Sequence, residues 1–356
     1  MKALITAGGR GTRLRPITHT LNKHLIPIAN KPMIFYALEK VAQAGIEEAG
    51  IVIPVGDKEI EAAVKNGKEW GLKVTYLEQK GGPLGLAHII KISKNFLGKE
   101  PFLFYLGDNI ILSKLSSLIK DFGKSQLDCQ LFLSKVKDPQ RFGVPEIKNR
   151  KIVKVEEKPL KPKSDFAVTG IYLYKHSIFE AVENIKPSAR GEFEISDAHS
   201  YLIERGFKVG YQEITGWWKD TGKPEDLLEV NQLILSEIKT EIEGEIEKGV
   251  VVQGKVKIGK GSKIQGRRTV IRGPAIIGEN CLIENCYLGP FSSIGNNVEI
   301  YNSEIENSII LDFSDINCEA RIVDSLIGNN SLITSVKKTF PAGHKLIIGD
   351  QSQIEL

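Results

Sequence analysis

The sequence predicts an α/β domain with a mostly parallel sheet followed by a parallel β-helix, and three observations lead there. Up to about residue 236, short aliphatic runs alternate with helical patterns, which is how βα units read. Beyond about residue 245 aliphatic residues recur every six positions, and glycine or asparagine falls between them. Coils of that kind stack to bury one continuous core. The expected division is therefore residues 1–240 and 241–356.

The elements follow in order. "KALIT" is the first strand. "KPMIFYALEKVAQAG" is a helix: Pro32 suits its first turn, Ile34, Ala37, Leu38, Val41 and Ala42 form one apolar stripe, and Gly45 ends it. "GIVIPV" is the second strand, and "FLFYLGDN" a buried strand ending in a loop. Asp108 should then stand at a carboxyl end, where open α/β sheets bind ligands. After residue 140 the alternation weakens, and "FGVPEIKNRKIVKVEEKP" reads as two antiparallel strands joined around Lys148 to Arg150. "PEDLLEVNQLILSEI" is a helix opened by Pro224, and it closes the first domain.

In the repeat, Ile258, Ile264, Val270, Ile276, Leu282, Leu288, Ile294 and Ile300 lie six apart. The spacing then slips through Ile305, Ile310, Ile316 and Ile322 and ends near "LIGNNSLI". A β-sandwich would instead show turns about every 8 to 12 residues.

Composition narrows the function. A chain of 356 residues that is 41% hydrophobic can fill ordinary globular cores. No run approaches the roughly 18 apolar residues of a membrane span, and "MKALITAGG" is too soon broken by glycine for a signal peptide. A cytoplasmic location is the default expectation. Cys129, Cys281, Cys286 and Cys318 form no C-x-x-C pair and should be buried thiols. A net charge of +4 spread along the chain suits small anionic ligands and not nucleic acid.

The first strand breaks into "AGGRGTRLRP". The spacing fits neither G-x-G-x-x-G nor G-x-x-x-x-G-K-[ST]. Even so, Gly8, Gly9 and Gly11 allow backbone amides to approach a phosphate, and the forked guanidinium of Arg13 can hold two of its oxygens. With "NKHLIPIANKPMI" close behind, this loop resembles the signature of the sugar-1-phosphate nucleotidylyltransferases. The resemblance continues in order through "GPLGLAH", "YLGDN", "VEEKP", "AVTGIYLY", "ARGEFEISDA" and "WWKDTG", and is strongest to the long members that carry a C-terminal hexapeptide-repeat β-helix.

The resemblance implies a Rossmann-like mixed sheet followed by a left-handed parallel β-helix. It also implies one in-line displacement, in which a sugar-1-phosphate oxygen attacks the α-phosphorus of a nucleoside triphosphate and pyrophosphate leaves. The implied substrates are dTTP, or UTP, and glucose 1-phosphate. On this basis Gly8, Gly9, Gly11, Thr12 and Arg13 bind the β- and γ-phosphates, and Lys23 lies against the α-phosphate. Asp108 and Asp220 hold Mg2+. Lys158 contacts the sugar phosphate, with Arg190 a second candidate. Glu157 accepts from sugar hydroxyls, while Gly143, Thr169 and Gly170 line the same pocket. Gln79 pairs with the pyrimidine edge and Gly85 leaves room for the ring. Lys80 competes with Gln79 for that role, and His24 stands where related short enzymes have glutamine.

Two other readings stay open. Hexapeptide acyltransferases need a general base, yet no histidine lies between His199 and His344, so a bifunctional chain would depend on His344. A non-catalytic sensor would be expected to lose the charged site residues, which are present here. The plain role of the β-helix is assembly into a homo-oligomer.

Overall fold

The computed structural model describes residues 1–9, 11–335 and 346–355, so His344 lies outside the described residues. Contacts group the chain into two compact units: residues 1–10 with 33–220, and residues 11–32 with 221–356.

The first unit is built on a seven-stranded sheet. Its strands are β1 (Lys2–Thr6), β2 (Glu48–Pro54), β3 (Lys73–Gln79), β4 (Phe102–Leu106), β6 (Cys129–Lys135), β9 (Phe166–Tyr174) and β10 (Val209–Glu213). Three shorter pieces complete the set: β5 (Asn109–Ile111), the hairpin β7 (Gly143–Lys148) and β8 (Lys151–Glu157), and β11 (Trp218–Asp220). The sheet order is β10-β6-β9-β4-β1-β2-β3. All neighbours pair in parallel except β9, which runs against both β4 and β6. The sheet is mixed, as expected.

β1 reads Lys-Ala-Leu-Ile-Thr, lies between two parallel neighbours, and its apolar residues are fully buried on both faces, as a near-continuous apolar run in a parallel sheet requires. α1 (Met33–Gln43) presents most of the expected stripe: Ile34, Ala37, Leu38 and Val41 have no exposed surface, whereas Ala42 is only half-buried. Gly45 follows at φ 79°, the left-handed geometry that stops a helix. β7 and β8 form the expected antiparallel pair. Their turn falls on Asn149 and Arg150, at φ 50° and 60°, as a two-residue hairpin requires. β9 carries an irregularity between Val168 and Tyr172, and this lifts Thr169 and Gly170 out of the ladder.

The second unit is the stacked repeat. Its strands fall into three parallel sheets, two of six strands and one of five, among the described residues. Ile258, Ile264, Leu288, Ile294 and Ile300 point inward as the six-residue period predicts. Val270, Ile276 and Leu282 do not; Ile271, Ile277 and Ile283 take the core positions instead. The turn Gly266–Thr269 holds one extra residue, so the phase shifts by one until the corner at Asn285 (φ 53°) restores it. Cys281 and Cys286 are buried in this core, whereas Cys318 is only half-buried; all four cysteines are free. Helix α2 (Pro224–Glu237) opens with Pro224 and belongs to this unit. No helix among the described residues is long and apolar enough to cross a membrane.

Candidate active site

In the first unit the parallel strands deliver their carboxyl ends to one edge. β4 ends at Leu106, and the amide of Gly107 donates to the Thr6 carbonyl at the end of β1 (3.1 Å). Asp108 follows at once. β5 then pairs antiparallel with β11, which sets Asp220 opposite Asn109, the residue that follows Asp108. Asn109 is buried and makes three bonds with its carboxamide. Its Oδ1 accepts from the Trp218 indole (2.7 Å) and the Gly170 amide (3.0 Å), and its Nδ2 donates to Asp108 Oδ1 (2.8 Å). A Cβ on Gly170 would lie 2.5 Å from Asn109 Oδ1, so only glycine fits there.

A second cluster forms at the end of β8. Ser196 Oγ donates to Glu157 Oε2 (2.7 Å). The other oxygen, Oε1, has Lys158 Nζ and Arg190 Nη2 each at 3.8 Å. Burial pushes the Glu157 carboxyl above its usual range, against the lowering effects of Ser196 and the two cations. Gly143 is required here, since a Cβ would stand 2.7 Å from Ser196 Oγ. Lys158 sits at φ 45°, a strained geometry for a lysine, with its amide held by the Phe142 carbonyl at 2.9 Å. Arg190 is held from behind by buried Glu194, whose Oε1 accepts from Nη2 (2.8 Å) and Nε (3.1 Å). Glu192 and Glu157 also lie within ion-pair reach of Arg190. Among the described residues, Lys158 has one carboxylate within ion-pair reach and Arg190 has three, so less of the Lys158 charge is already compensated. The Thr169 hydroxyl is buried without a protein partner.

Gln79 ends β3 and is buried, whereas Lys80 is exposed. Its Nε2 lies 3.2 Å from His88 Nδ1, and the His88 ring stacks on Phe193 at 6.2 Å. Gly85, at φ 97°, passes so close to the Phe193 carbonyl that a Cβ would lie 2.5 Å from it. Gly8 neighbours Gln79: a Cβ on it would sit 3.8 Å from Oε1. Gly9 is exposed just beyond β1.

The remaining predicted residues belong to the second unit. Gly11 (φ 54°) precedes a short turn, Thr12–Leu14, that presents Thr12 and Arg13 on the surface. A Cβ on Gly11 would lie 2.8 Å from Thr18 Cγ2 and 3.2 Å from Lys23 Cβ. Lys23 is buried, only 8% exposed, in the turn Lys23–Leu25. His24 is buried beside it, with its backbone amide and ring Nδ1 both on Asn22 Oδ1 (2.9 and 3.1 Å).

The family model for nucleotidyl transferases matches residues 2–237. The chain belongs to the nucleotidyl transferase family. This nucleotidyl transferase is 44% identical to a glucose-1-phosphate thymidylyltransferase of Streptomyces antibioticus, over all of the chain and 99% of that relative. A solved structure assigned as a glucose-1-phosphate thymidylyltransferase, from Bacillus anthracis with sucrose bound, has TM-score 0.63 and 38% identity over 68% of this chain and 97% of that one. A UDP-glucose pyrophosphorylase solved with UDP-glucose has TM-score 0.58 and 27% identity over 67% and 99%.

Sequence reasoning missed four residues that this nucleotidyl transferase builds into the site: Asn109, Ser196, His88 and Glu194. Each lies inside or beside a motif already singled out. What marks them is a hydrogen bond to a chosen residue; Asn109, Glu194 and His88 lie within nine positions of the residue they hold, whereas Ser196 lies 39 positions from Glu157.

Proposed function

We propose that the protein transfers the thymidylyl group of dTTP to glucose 1-phosphate, giving dTDP-glucose and pyrophosphate. The observation that carries this reading is the β5–β11 pair beyond the carboxyl end of β4, in which Asp220 faces Asn109 and Asn109 bonds to Asp108. A phosphate oxygen of the sugar phosphate forms a bond to the α-phosphorus as the α–β bridging bond breaks, and the electron pair leaves with pyrophosphate. No protein nucleophile is needed, so positioning and charge neutralisation carry the catalysis.

Asp108 and Asp220 suit a divalent ion, Mg2+ in this reading. Among the described residues no group of three or more histidine, cysteine or acidic side chains competes for it, and magnesium is commonly held by one or two carboxylates, with phosphates and water completing its shell. When bound, such an ion neutralises charge on the reacting phosphates. Gly8, Gly9, Gly11 and Thr12 serve the triphosphate through backbone amides, Arg13 stabilises the departing pyrophosphate, and Lys23 neutralises the α-phosphate. Lys158, with Arg190 beside it, binds the phosphate of the sugar. Glu157 accepts from sugar hydroxyls through Oε1, since Ser196 occupies Oε2. Gly143, Thr169 and Gly170 shape that pocket, and Gly85 leaves space for the base.

Gln79 supports a second reading. Its carboxamide can pair with the edge that thymine and uracil share, and a methyl group is worth about 1–3 kcal/mol in a pocket, so UTP is the rival substrate. The reading includes a cytoplasmic location and a homo-oligomer assembled through the β-helix. A matrix of triphosphates against sugar 1-phosphates, with pyrophosphate release measured and magnesium omitted as control, tests it. The highest kcat/KM is expected for dTTP with glucose 1-phosphate. A maximum for UTP would make the enzyme a uridylyltransferase, and no release with any pair would remove the reading.

A further inference from the structure

The segment Gly11–Pro32, which carries Arg13 and Lys23, groups with the β-helix. It consists of three short turns (Thr12–Leu14, Ile17–His19 and Lys23–Leu25) and a hairpin of two-residue strands, Pro27–Ile28 and Lys31–Pro32. Such turns make few internal hydrogen bonds and hold their own shape poorly. What holds them is the repeat. The hairpin tip is Ala29–Asn30, both left-handed at φ 47° and 58°, which alanine resists. The Ala29 amide donates to Asn231 Oδ1 on α2 (2.9 Å). The same oxygen accepts from Ser293 Oγ (2.7 Å), and Asn231 Nδ2 donates to the Phe291 carbonyl (2.9 Å). Asn30 Nδ2 donates to the Ile294 carbonyl (2.5 Å). Asn231 and Ser293 have no exposed surface, so both ends of the carboxamide are fixed and its orientation is set. The strand Ser292–Ile294 is itself paired on both sides, Ser293 against Ile276 and Ile309. Ile17 forms a further tie: its Cδ1 lies 3.1 Å from where a Cβ on Gly328 would stand.

We propose that Asn231, Ser293 and Asn30 are positioning residues, through which the β-helix holds the segment that carries Arg13 and Lys23 in its phosphate-binding conformation. The chain of contact is short. The pinned tip fixes the hairpin, the hairpin follows directly from the turn of Lys23, and Gly11 packs on the Lys23 side chain just before Arg13. Phosphoryl transfer is sensitive to placement errors on the order of 1 Å, so a brace at this point acts on nucleotide affinity and not on the sugar. The inference rests on the reading that Arg13 and Lys23 serve the triphosphate.

The test is the double variant Asn30→Gly with Ser293→Ala in the full chain. Glycine suits the left-handed position of Asn30, so the turn survives while both ties loosen. The dTTP affinity and stoichiometry are measured by calorimetry with magnesium and without sugar phosphate, followed by KM for each substrate. The expected result is a dTTP Kd about five- to ten-fold weaker, unchanged stoichiometry and a KM for glucose 1-phosphate within two-fold of the parent. A dTTP Kd within two-fold of the parent overturns the proposal, and so does reduced stoichiometry with unchanged affinity, which would mean lost folding alone. Lys23→Ala is run alongside. If it weakens dTTP binding or turnover while the double variant is silent, only the brace fails; if it is itself silent, the reading beneath the proposal fails with it.

Discussion

The indole nitrogen of Trp218 stands 2.7 Å from the side-chain oxygen of Asn109, and that bond joins segments 109 residues apart, one carrying Asp108 and the other Asp220. Asn109 in turn donates to Asp108, so Trp218 orients the carboxylate at one remove. Trp218→Phe keeps the ring and deletes the donor. Loss of such an outer contact weakens metal binding by about ten-fold or more. Titration of activity with magnesium should show that shift, with turnover recovering at excess ion. An unchanged magnesium midpoint would detach Trp218 from the site.

Asp108→Asn removes one of the two carboxylates while keeping the bond geometry. Turnover should fall by roughly 100-fold or more, the scale seen when one electrostatic contact to a transition state is lost. Steady-state kinetics at saturating magnesium check this. Near-parent turnover there would place the metal elsewhere.

Lys158→Ala deletes the less compensated of two cations near Glu157. A hydrogen bond to a charged group is worth about 1.5–3 kcal/mol, so the KM for glucose 1-phosphate should rise roughly 10- to 100-fold while that for dTTP stays close to the parent value. The opposite pattern would move Lys158 to the nucleotide.

Glu157 gives a prediction with a definite sign. Burial raises its carboxyl above the usual 4.5, so the folded chain holds this proton more tightly than the unfolded chain does. Stability from this group is therefore present below the ordinary value and is lost as pH rises through the raised one. Glu157→Gln, which can still accept from Ser196, should raise the melting temperature at pH 7 and leave it nearly unchanged at pH 4. It should also raise the KM for glucose 1-phosphate. An equal thermal shift at both pH values would show that ionisation is not the cause.

The strands, the α1 stripe and the existence of the repeat were legible because burial imposes periods that survive in any single sequence. The phase of the repeat was not: an extra residue in Gly266–Thr269 looks like any other polar turn, yet it exchanges Val270 for Ile271 on the inside. The motif residues themselves were legible as an ordered set. Their supports were less so, because a serine 39 positions from Glu157 carries no local mark of the bond it makes. Least visible was the partner of residues 11–32. That contact is made by one helix asparagine, a serine and backbone carbonyls, and carbonyls leave no trace in composition.

The docked strand Ser292–Ile294 is the fourth in its stack, after Glu241–Ile242, Val256–Ile258 and Ala275–Ile277. Repeat arrays ordinarily change length by whole units, because each unit meets only its neighbours. Here α2 precedes the first coil but reaches past it to Ser293 and Phe291, so the tally of coils between them is locked. Deleting one would slide the stack by about 4.8 Å and bring Ile309, the ladder partner of Ser293, under Asn231 in place of a hydroxyl. A change in the number of coils therefore leaves the Asn231 contact intact only where it falls after Ser292–Ile294.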